Sequence, residues 1–311
     1  MSFVPDLRRW FSGGKFILVS MVSSAIGYGI TTGHKALEVA APMQAAGGLA
    51  LCLAMFLAGL NPFRRYSLVM WGWIILLAAG NATVAYTYPY AVEHLTVGTV
   101  AAVVVIGYLS VGLRTIWNLR ATAYGLQHLC GRLLVLGGVV MLNRPSPGES
   151  MGMVCALISA GCVYNTLTVL GQMKKHGLEY QGAALANLIA ALPLFVVVFK
   201  LQGSGWMSGD LLLAAGPAGL LTLMLPVWFT NAALRRCSRH DVGIMQSFSS
   251  PVHALVGLAG AALGWIDSDQ RLALFPEWAG IILISVTAFG VSLLKEPATD
   301  AVRVGTQPSG A

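Results

Sequence analysis

Charge is what this sequence has least of. Only 10% of its 311 residues are Asp, Glu, Lys or Arg, and 56% are hydrophobic, where a soluble domain carries about 25% charged residues. A water-soluble fold of this length could not cover its surface with so little polar material. Acids are the scarcer sign, twelve in all: Asp6, Glu38, Glu93, Glu149, Glu179, Asp210, Asp241, Asp267, Asp269, Glu277, Glu296 and Asp300. Each falls in a loop or at the end of an apolar run, so no carboxylate is expected at mid-membrane depth to relay protons.

Cysteine is sparse and odd in number. Cys52, Cys130, Cys155, Cys162 and Cys237 sit mostly inside apolar runs with no CxxC spacing, which argues against a zinc site or structural disulfide and for free packing thiols. Absent too are GxSxG, the P-loop, HExxH and a dinucleotide-type glycine run, so hydrolase, kinase and redox chemistry find no anchor. Tyr90, Glu93 and His94 form the one polar cluster of the kind a membrane enzyme places at an interface. The expectation is a non-enzyme with no cofactor and no metal. The net charge of +7 does not point to nucleic acid, because the basic residues occupy short gaps between apolar runs rather than one face of a domain.

What the chain has in abundance is long apolar runs, and a run of about 18 or more is long enough to cross a bilayer as a helix. Breaks at charge or at Pro and Gly predict ten spans, over 16–33, 42–60, 68–90, 95–113, 124–142, 151–171, 181–200, 211–233, 242–265 and 275–294. Lys and Arg should gather in cytoplasmic loops. With the N-terminus inside, Arg8, Arg9, Lys15, Arg64, Arg65, Arg114, Arg120, Lys174, Lys175, Arg235, Arg236, Arg239, Lys295 and Arg303 fall on the cytoplasmic side. Lys35, Arg144, Lys200 and Arg271 fall outside, and Arg132 falls within a span. Fourteen against four of the nineteen basic residues predicts ten spans with both termini cytoplasmic. The segment from Pro297 lacks apolar periodicity and reads as disordered.

The halves echo one another. Val97-Gly98 opens the fourth span soon after Ala91, and Val242-Gly243 opens the ninth soon after Ala232-Ala233-Leu234; Gly14 and Gly152 each precede a Tyr-containing span. Five spans per half is an odd number, so homologous halves must lie in opposite orientations, an arrangement suited to alternating access.

Three segments resemble a known family. Gly152 to Gln172, GMVCALISAGCVYNTLTVLGQ, is similar to the helix that opens the second half of EamA-type transporters of the drug/metabolite transporter superfamily. Ala232 to Ala254, AALRRCSRHDVGIMQSFSSPVHA, resembles their eighth-to-ninth helix segment. Ala91 to Leu113, AVEHLTVGTVAAVVVIGYLSVGL, resembles the matching part of the first half. The likeness is nearest to the amino-acid exporters that include threonine and homoserine efflux proteins. The chain departs from the pattern at Gly264-Trp265-Ile266-Asp267, where a Gly-Glu pair is common, and at Ile106-Gly107, which stands where a Pro is usual. The resemblance implies an all-α integral membrane fold of ten transmembrane helices in two inverted five-helix repeats. Residues 1–146 would form the first half, 147–295 the second and 296–311 a cytoplasmic tail. It further implies a secondary transporter of a small metabolite, an amino acid or derivative, working by alternating access, most naturally in export from a bacterial inner membrane. A cation or multidrug exporter of the same fold, or a non-transporting receptor or assembly subunit, stands as the alternative. The expected partners are the solute and the bilayer, with the chain as a monomer or homodimer.

Polar groups within the spans are the candidates for solute binding. His253 follows Pro251 by two residues and either bonds a backbone carbonyl between packed helices or faces a cavity, binding solute or a proton. Gln246, seven residues earlier, lies on a similar helical face. Arg132 either snorkels to an interface or forks onto a carboxylate. Tyr28, Tyr164 and Trp228 lie deep enough to line a pocket, and Tyr86 joins them at the end of the third span. Asn81, Asn165 and Asn231 could bind solute or pack between helices; Tyr88 and Tyr90 read as members of an interfacial aromatic belt. Glu93 is the boundary acid that could carry a coupling proton beside His253. Pro193, Pro217 and Pro226 are expected to kink their helices.

Overall fold

The computed structural model describes residues 7–31, 34–95, 97–111, 113–142, 150–203, 206–237, 239–264, 275–292 and 294. The expected boundary between halves at 146/147 and the tail 296–311 lie outside the described residues. Everything regular among the described residues is helical: α1 Leu7–Ile30, α2 Ala36–Leu57, α3 Leu68–His94, α4 Val97–Ser110, α5 Leu113–Asn118, α6 Ala123–Leu142, α7 Ser150–Lys174, α8 Glu179–Gln202, α9 Gly209–Gly219, α10 Leu225–Leu234, α11 Arg239–Gln246, α12 Ser249–Ala262 and α13 Phe275–Ser292. A π-helical turn over Leu220–Met224 joins α9 to α10. Among the described residues seven segments are long and apolar enough to cross a membrane: Ser12–Ile30, Ala36–Leu57, Leu68–His94, Ala123–Met141, Ser150–Lys174, Glu179–Gln202 and Gly209–Leu234. The chain is an all-helical integral membrane protein.

Helix is the form these runs must take, since lipid offers no partner for a backbone N–H or C=O and only a helix satisfies both within one segment. Large apolar side chains cover the outside of the bundle; Leu68, at 90% exposure, is a lipid-facing residue rather than a packing defect.

Among the departures of the helices from the sequence expectation, three have a proline nearby. The third span was expected to stop near Pro89 but α3 passes through Pro89 to His94, because one lost bond does not end a helix held by neighbours along its length. The ninth span, expected as one helix over 242–265, is two. Pro251 has no N–H for the Ser247 carbonyl four residues back, and the chain breaks there. Ser247 N–H and Phe248 N–H turn instead to the carbonyls of Ile244 and Met245, at 3.0 and 3.1 Å. Pro226 would press its ring on the Thr222 carbonyl in a regular helix; the wider π turn over Leu220–Met224 takes up that conflict. The fourth span also ends early, at Ser110, and is followed by the short α5.

α3 lies along α7 and α8, α2 along α8 and α9, α1 along α10 and α12, α4 along α7 and α12, and α6 along α13. Small residues permit the closest of these approaches. A Cβ built on Gly107 of α4 would stand 2.0 Å from the Ala160 carbonyl oxygen of α7, so only glycine lets the two backbones meet at that point.

Several basic residues meet at one end of the bundle: Lys15 and Arg236 lie over the Phe16 ring at 5.2 and 4.6 Å, and Arg239 lies beside Gly171 near Lys174. At the basic end Arg235 Nε donates to Glu179 Oε1 at 2.6 Å, and its guanidinium lies over the Tyr180 ring at 4.5 Å. Lys174 donates to the Leu234 carbonyl. At the opposite end Glu93 accepts the N–H of Ala36, the first residue of α2, and Gln202 donates to Glu38 at 3.2 Å.

Candidate functional site

A cavity lies at the centre of the bundle. Each surrounding helix gives it one face, at the spacing of three, four and seven or eight residues that puts side chains on one side of a helix. From α1 come Ser20, Ser24 and Tyr28; from α3, Asn81, Val84 and Tyr88; from α4, Ala101, Val104 and Tyr108; and from α7, Val163, Thr166 and Leu170. The π turn and α10 supply Thr222, Leu223, Pro226 and Thr230, and the broken ninth span supplies Gln246, Ser249 and His253. Asn187 is the contribution of α8. The volume is about 160 Å³, which at about 30 Å³ per water has room for roughly five waters or a benzene-sized solute. Among the described residues no Asp, Glu, Lys or Arg lines it.

The polar wall is organised in three groups. In the first, Gln246 Nε2 donates to Thr230 Oγ1 at 3.2 Å, and Thr230 meets Ser20 Oγ at 3.4 Å, tying α11 to α10 and α1. In the second, the rings of Tyr28 and Tyr88 stack with centroids 4.2 Å apart, and the Tyr88 ring lies 6.4 Å from that of His253. His253 Nδ1 is 2.7 Å from the Ser249 carbonyl. A carbonyl only accepts, so Nδ1 carries the proton and a neutral ring presents Nε2 as an acceptor. Tyr88 and Ser249 have buried hydroxyls without a protein partner. In the third group Gln44, Asn187, Asn81 and Thr166 form a chain of amide bonds across α2, α8, α3 and α7.

Of the residues singled out in the sequence, the structure brings Tyr28, Asn81, Gln246 and His253 together on the cavity wall. The His253 alternatives merge: the ring both bonds a carbonyl through Nδ1 and lines the cavity. The others lie elsewhere. Trp228 packs edge-on against Tyr180 at 5.3 Å. Tyr164 faces outward in a surface groove with Ser110, Leu113 and Trp117. Asn165 donates to the Leu76 carbonyl at 3.1 Å, and Tyr86 lies against Tyr90 at 5.8 Å. Arg132 is buried and donates to the Val111 carbonyl at 3.2 Å, pinning the turn between α4 and α5, with Asp241 in electrostatic reach. Glu93 is an exposed cap on α2.

Tyr88 corrects the reading of an interfacial belt: it is buried and stacked inside the bundle. Tyr108, Asn187 and the hydroxyls of α1, α7 and α10 were not anticipated. The signal for α1 was present in the spacing of Ser20, Ser24 and Tyr28, one polar residue per turn in an apolar helix. Asn187 stands alone in its helix and offered no such pattern.

A membrane-embedded helical bundle around an uncharged central cavity, apolar with polar groups set into it, is the class of protein this structure defines. The chain matches no family model and no curated protein. Twenty-three chains of solved structures are similar in fold. One, titled only as the crystal structure of a protein, superposes with a TM-score of 0.63 at 16% identity, covering 94% of this chain and 97% of its own. At that identity the likeness is one of fold, and it extends over nearly the whole of both chains.

Proposed function

We propose that this protein is a secondary transporter of the EamA kind, built from two inverted five-helix repeats that cross the membrane ten times and carry a small neutral or zwitterionic metabolite. An amino acid or a derivative of one is the favoured solute and export the favoured direction. The observation that carries the reading is the central cavity, a largely apolar wall set with polar, uncharged side chains drawn from both parts of the chain.

The packing supports the repeat. If α1, α2, α3, α4 and α6 correspond to α7, α8, α9–α10, α11–α12 and α13, the interfaces exchange in pairs. α3 with α7 becomes α1 with α10; α4 with α7 becomes α1 with α12; α2 with α9 becomes α3 with α8. The pairs α2 with α8, α4 with α12 and α6 with α13 map onto themselves. The cavity follows the same exchange for α1, α3 and α4 against α7, α10 and α11–α12, with Asn187 of α8 added on one side and no counterpart from α2. A site on the pseudo-symmetry axis can be offered to either end by rocking one repeat against the other. Broken helices at such a site release backbone groups where only a cavity tolerates them, and both the Ser247–Phe248 break and the π turn border this one. The basic end takes the cytoplasmic side, which puts the N-terminus inside a bacterial plasma membrane.

A permanent cation entering this cavity would meet no carboxylate, so its desolvation would go uncompensated; a zwitterion or neutral solute carries its own balance. Purified protein in liposomes should show saturable counterflow of radiolabelled L-threonine, L-homoserine or an aromatic amino acid. That flux should be lost in Gln246→Ala with His253→Ala while the variant stays folded. Folded wild-type protein that moves none of these solutes overturns the amino-acid reading.

A further inference from the structure

We infer that Asn187 is a specificity-determining residue that offers its side-chain N–H groups to an oxygen acceptor on the solute, and that Gln44, which does not line the cavity, is the positioning residue that fixes it in that role. The inference rests on the transport reading and goes beyond it, in naming the atom that reads one end of the solute.

Amide oxygen and nitrogen are alike in shape, so their assignment must come from the bonding around them. Here one backbone atom decides three side chains. Gln44 places its terminal amide 3.2 Å from the Asn187 main-chain carbonyl and 2.8 Å from the Asn187 side chain. The main-chain oxygen can only accept, so the Gln44 atom is Nε2, a donor. The Asn187 atom facing it is therefore Oδ1. Asn81 also approaches that oxygen, at 2.8 Å, and so presents Nδ2, leaving its own Oδ1 to accept from Thr166 Oγ1 at 3.4 Å. With two donors converging on Oδ1, the Asn187 amide cannot turn over without setting N–H against N–H. Its Nδ2 is held as a donor, is buried and has no partner among the described residues. A buried donor left without a partner is unfavourable by about as much as a hydrogen bond is worth, and Asn187 is on the cavity wall, where a solute oxygen supplies what is missing.

The local packing serves this geometry. Gln44 and Gly48 are one turn apart on α2, and a Cβ on Gly48 would stand 3.1 Å from the Asn187 carbonyl carbon and 3.0 Å from the Leu188 nitrogen. Glycine there lets α2 approach the α8 backbone closely enough for Gln44 to reach the main chain. Asn187 and Gln44 are both fully buried, so no bulk water competes for the amide.

The solute class follows: a molecule of roughly six to eight heavy atoms with an oxygen acceptor, a carboxylate or carbonyl, at the end that meets α8. L-threonine and 1-amino-2-propanol share a skeleton and differ in the carboxylate, which makes them the probes. Binding of each to purified protein should be measured for wild type, Asn187→Asp and Gln44→Leu, with thermal melting alongside. Asp keeps the acceptor oxygen for Gln44 and Asn81 and replaces the N–H donor with a second oxygen, but its charge by itself draws the cationic 1-amino-2-propanol, so Gln44→Leu, which adds no charge, is the deciding variant. The expected result is a wild type that prefers L-threonine, and a preference reduced about tenfold or more in Asn187→Asp, the scale of one hydrogen bond to a charged group. Gln44→Leu should reduce the same binding ratio by a smaller factor, and in counterflow should act through KM with turnover unchanged; it decides the matter because it adds no charge. Variants that weaken both probes by one common factor, or neither, overturn the role given to Asn187. A folded wild type that binds neither probe overturns the amino-acid reading, and this inference with it.

Discussion

Tyr28 of α1 and Tyr88 of α3 stack with ring centroids 4.2 Å apart and planes 26° from parallel, and the Tyr88 hydroxyl beyond the stack is buried without a protein partner. Ring and hydroxyl therefore serve different ends. The ring ties two cavity helices together, and Tyr88→Ala should lower stability by about 3 kcal/mol through lost packing and lost stacking. Removal of the hydroxyl alone, in Tyr88→Phe, takes away a group bonded to nothing and should leave the melting temperature unchanged or raised, while solute flux falls. Melting and counterflow on both variants separate the two effects. A Phe variant as unstable as the Ala variant would mean the hydroxyl has a structural partner after all.

The apolar runs made the helices legible because composition alone dictates them. Breaks within helices were harder. Pro251 was visible, yet whether a proline kinks, breaks or passes through a helix depends on what packs around it, as the unbroken Pro89 and the broken ninth span show. The site was legible where polarity repeats by the turn or stands out in an apolar stretch, as with Tyr28, Gln246 and His253. It was illegible where depth misleads: Tyr88 is near a helix end, but its ring turns inward onto Tyr28. Trp228 and Tyr164 had the right depth and the wrong face. Arg132 was a reasonable ligand by chemistry, and its bond to the Val111 carbonyl depends on a break in a neighbouring helix that no local pattern announced.

Two glycines with opposite surroundings test whether close approach or helix propensity dominates. Gly107 meets the Ala160 backbone, so Gly107→Ala must push α4 from α7 and should cost about 1–3 kcal/mol by overpacking. Gly161, on the neighbouring turn of α7, has nothing within 4 Å of a built Cβ, and Gly161→Ala should gain about 0.5–1 kcal/mol from backbone entropy. Chemical or thermal unfolding in detergent reads both. Equal effects at the two positions would remove the argument for backbone contact at Gly107.

The Glu179 carboxylate has a side chain 2% exposed, while its partner Arg235 is 51% exposed. Arg235→Ala strands a buried anion and should destabilise by about 1–3 kcal/mol, less than a fully buried pair because solvent reaches the guanidinium side. Glu179→Gln in that background removes the stranded charge and should recover most of the loss. A double-mutant cycle on melting free energies gives the coupling; a coupling near zero would leave the pair as surface decoration and assign the order at this end to Lys174 and its bond to Leu234.

His253 divides its ring between two tasks, and two substitutions divide them again. Nδ1 donates to the Ser249 carbonyl at 2.7 Å, one turn back on the same helix, which leaves Nε2 for the cavity. An Asn side chain carries its amide nitrogen about as far from the backbone as Nδ1, so His253→Asn should keep the Ser249 bond and the melting temperature. With Nε2 gone it should lose about tenfold in solute affinity, the worth of roughly one hydrogen bond. A Gln side chain reaches about as far as Nε2, so His253→Gln should retain much of the affinity while losing about 1 kcal/mol of stability with the Ser249 bond. Melting and binding should therefore rank the two variants in opposite order. If Asn is the less stable and Gln the weaker binder, the roles of the two nitrogens are reversed, and the cavity-facing atom is Nδ1.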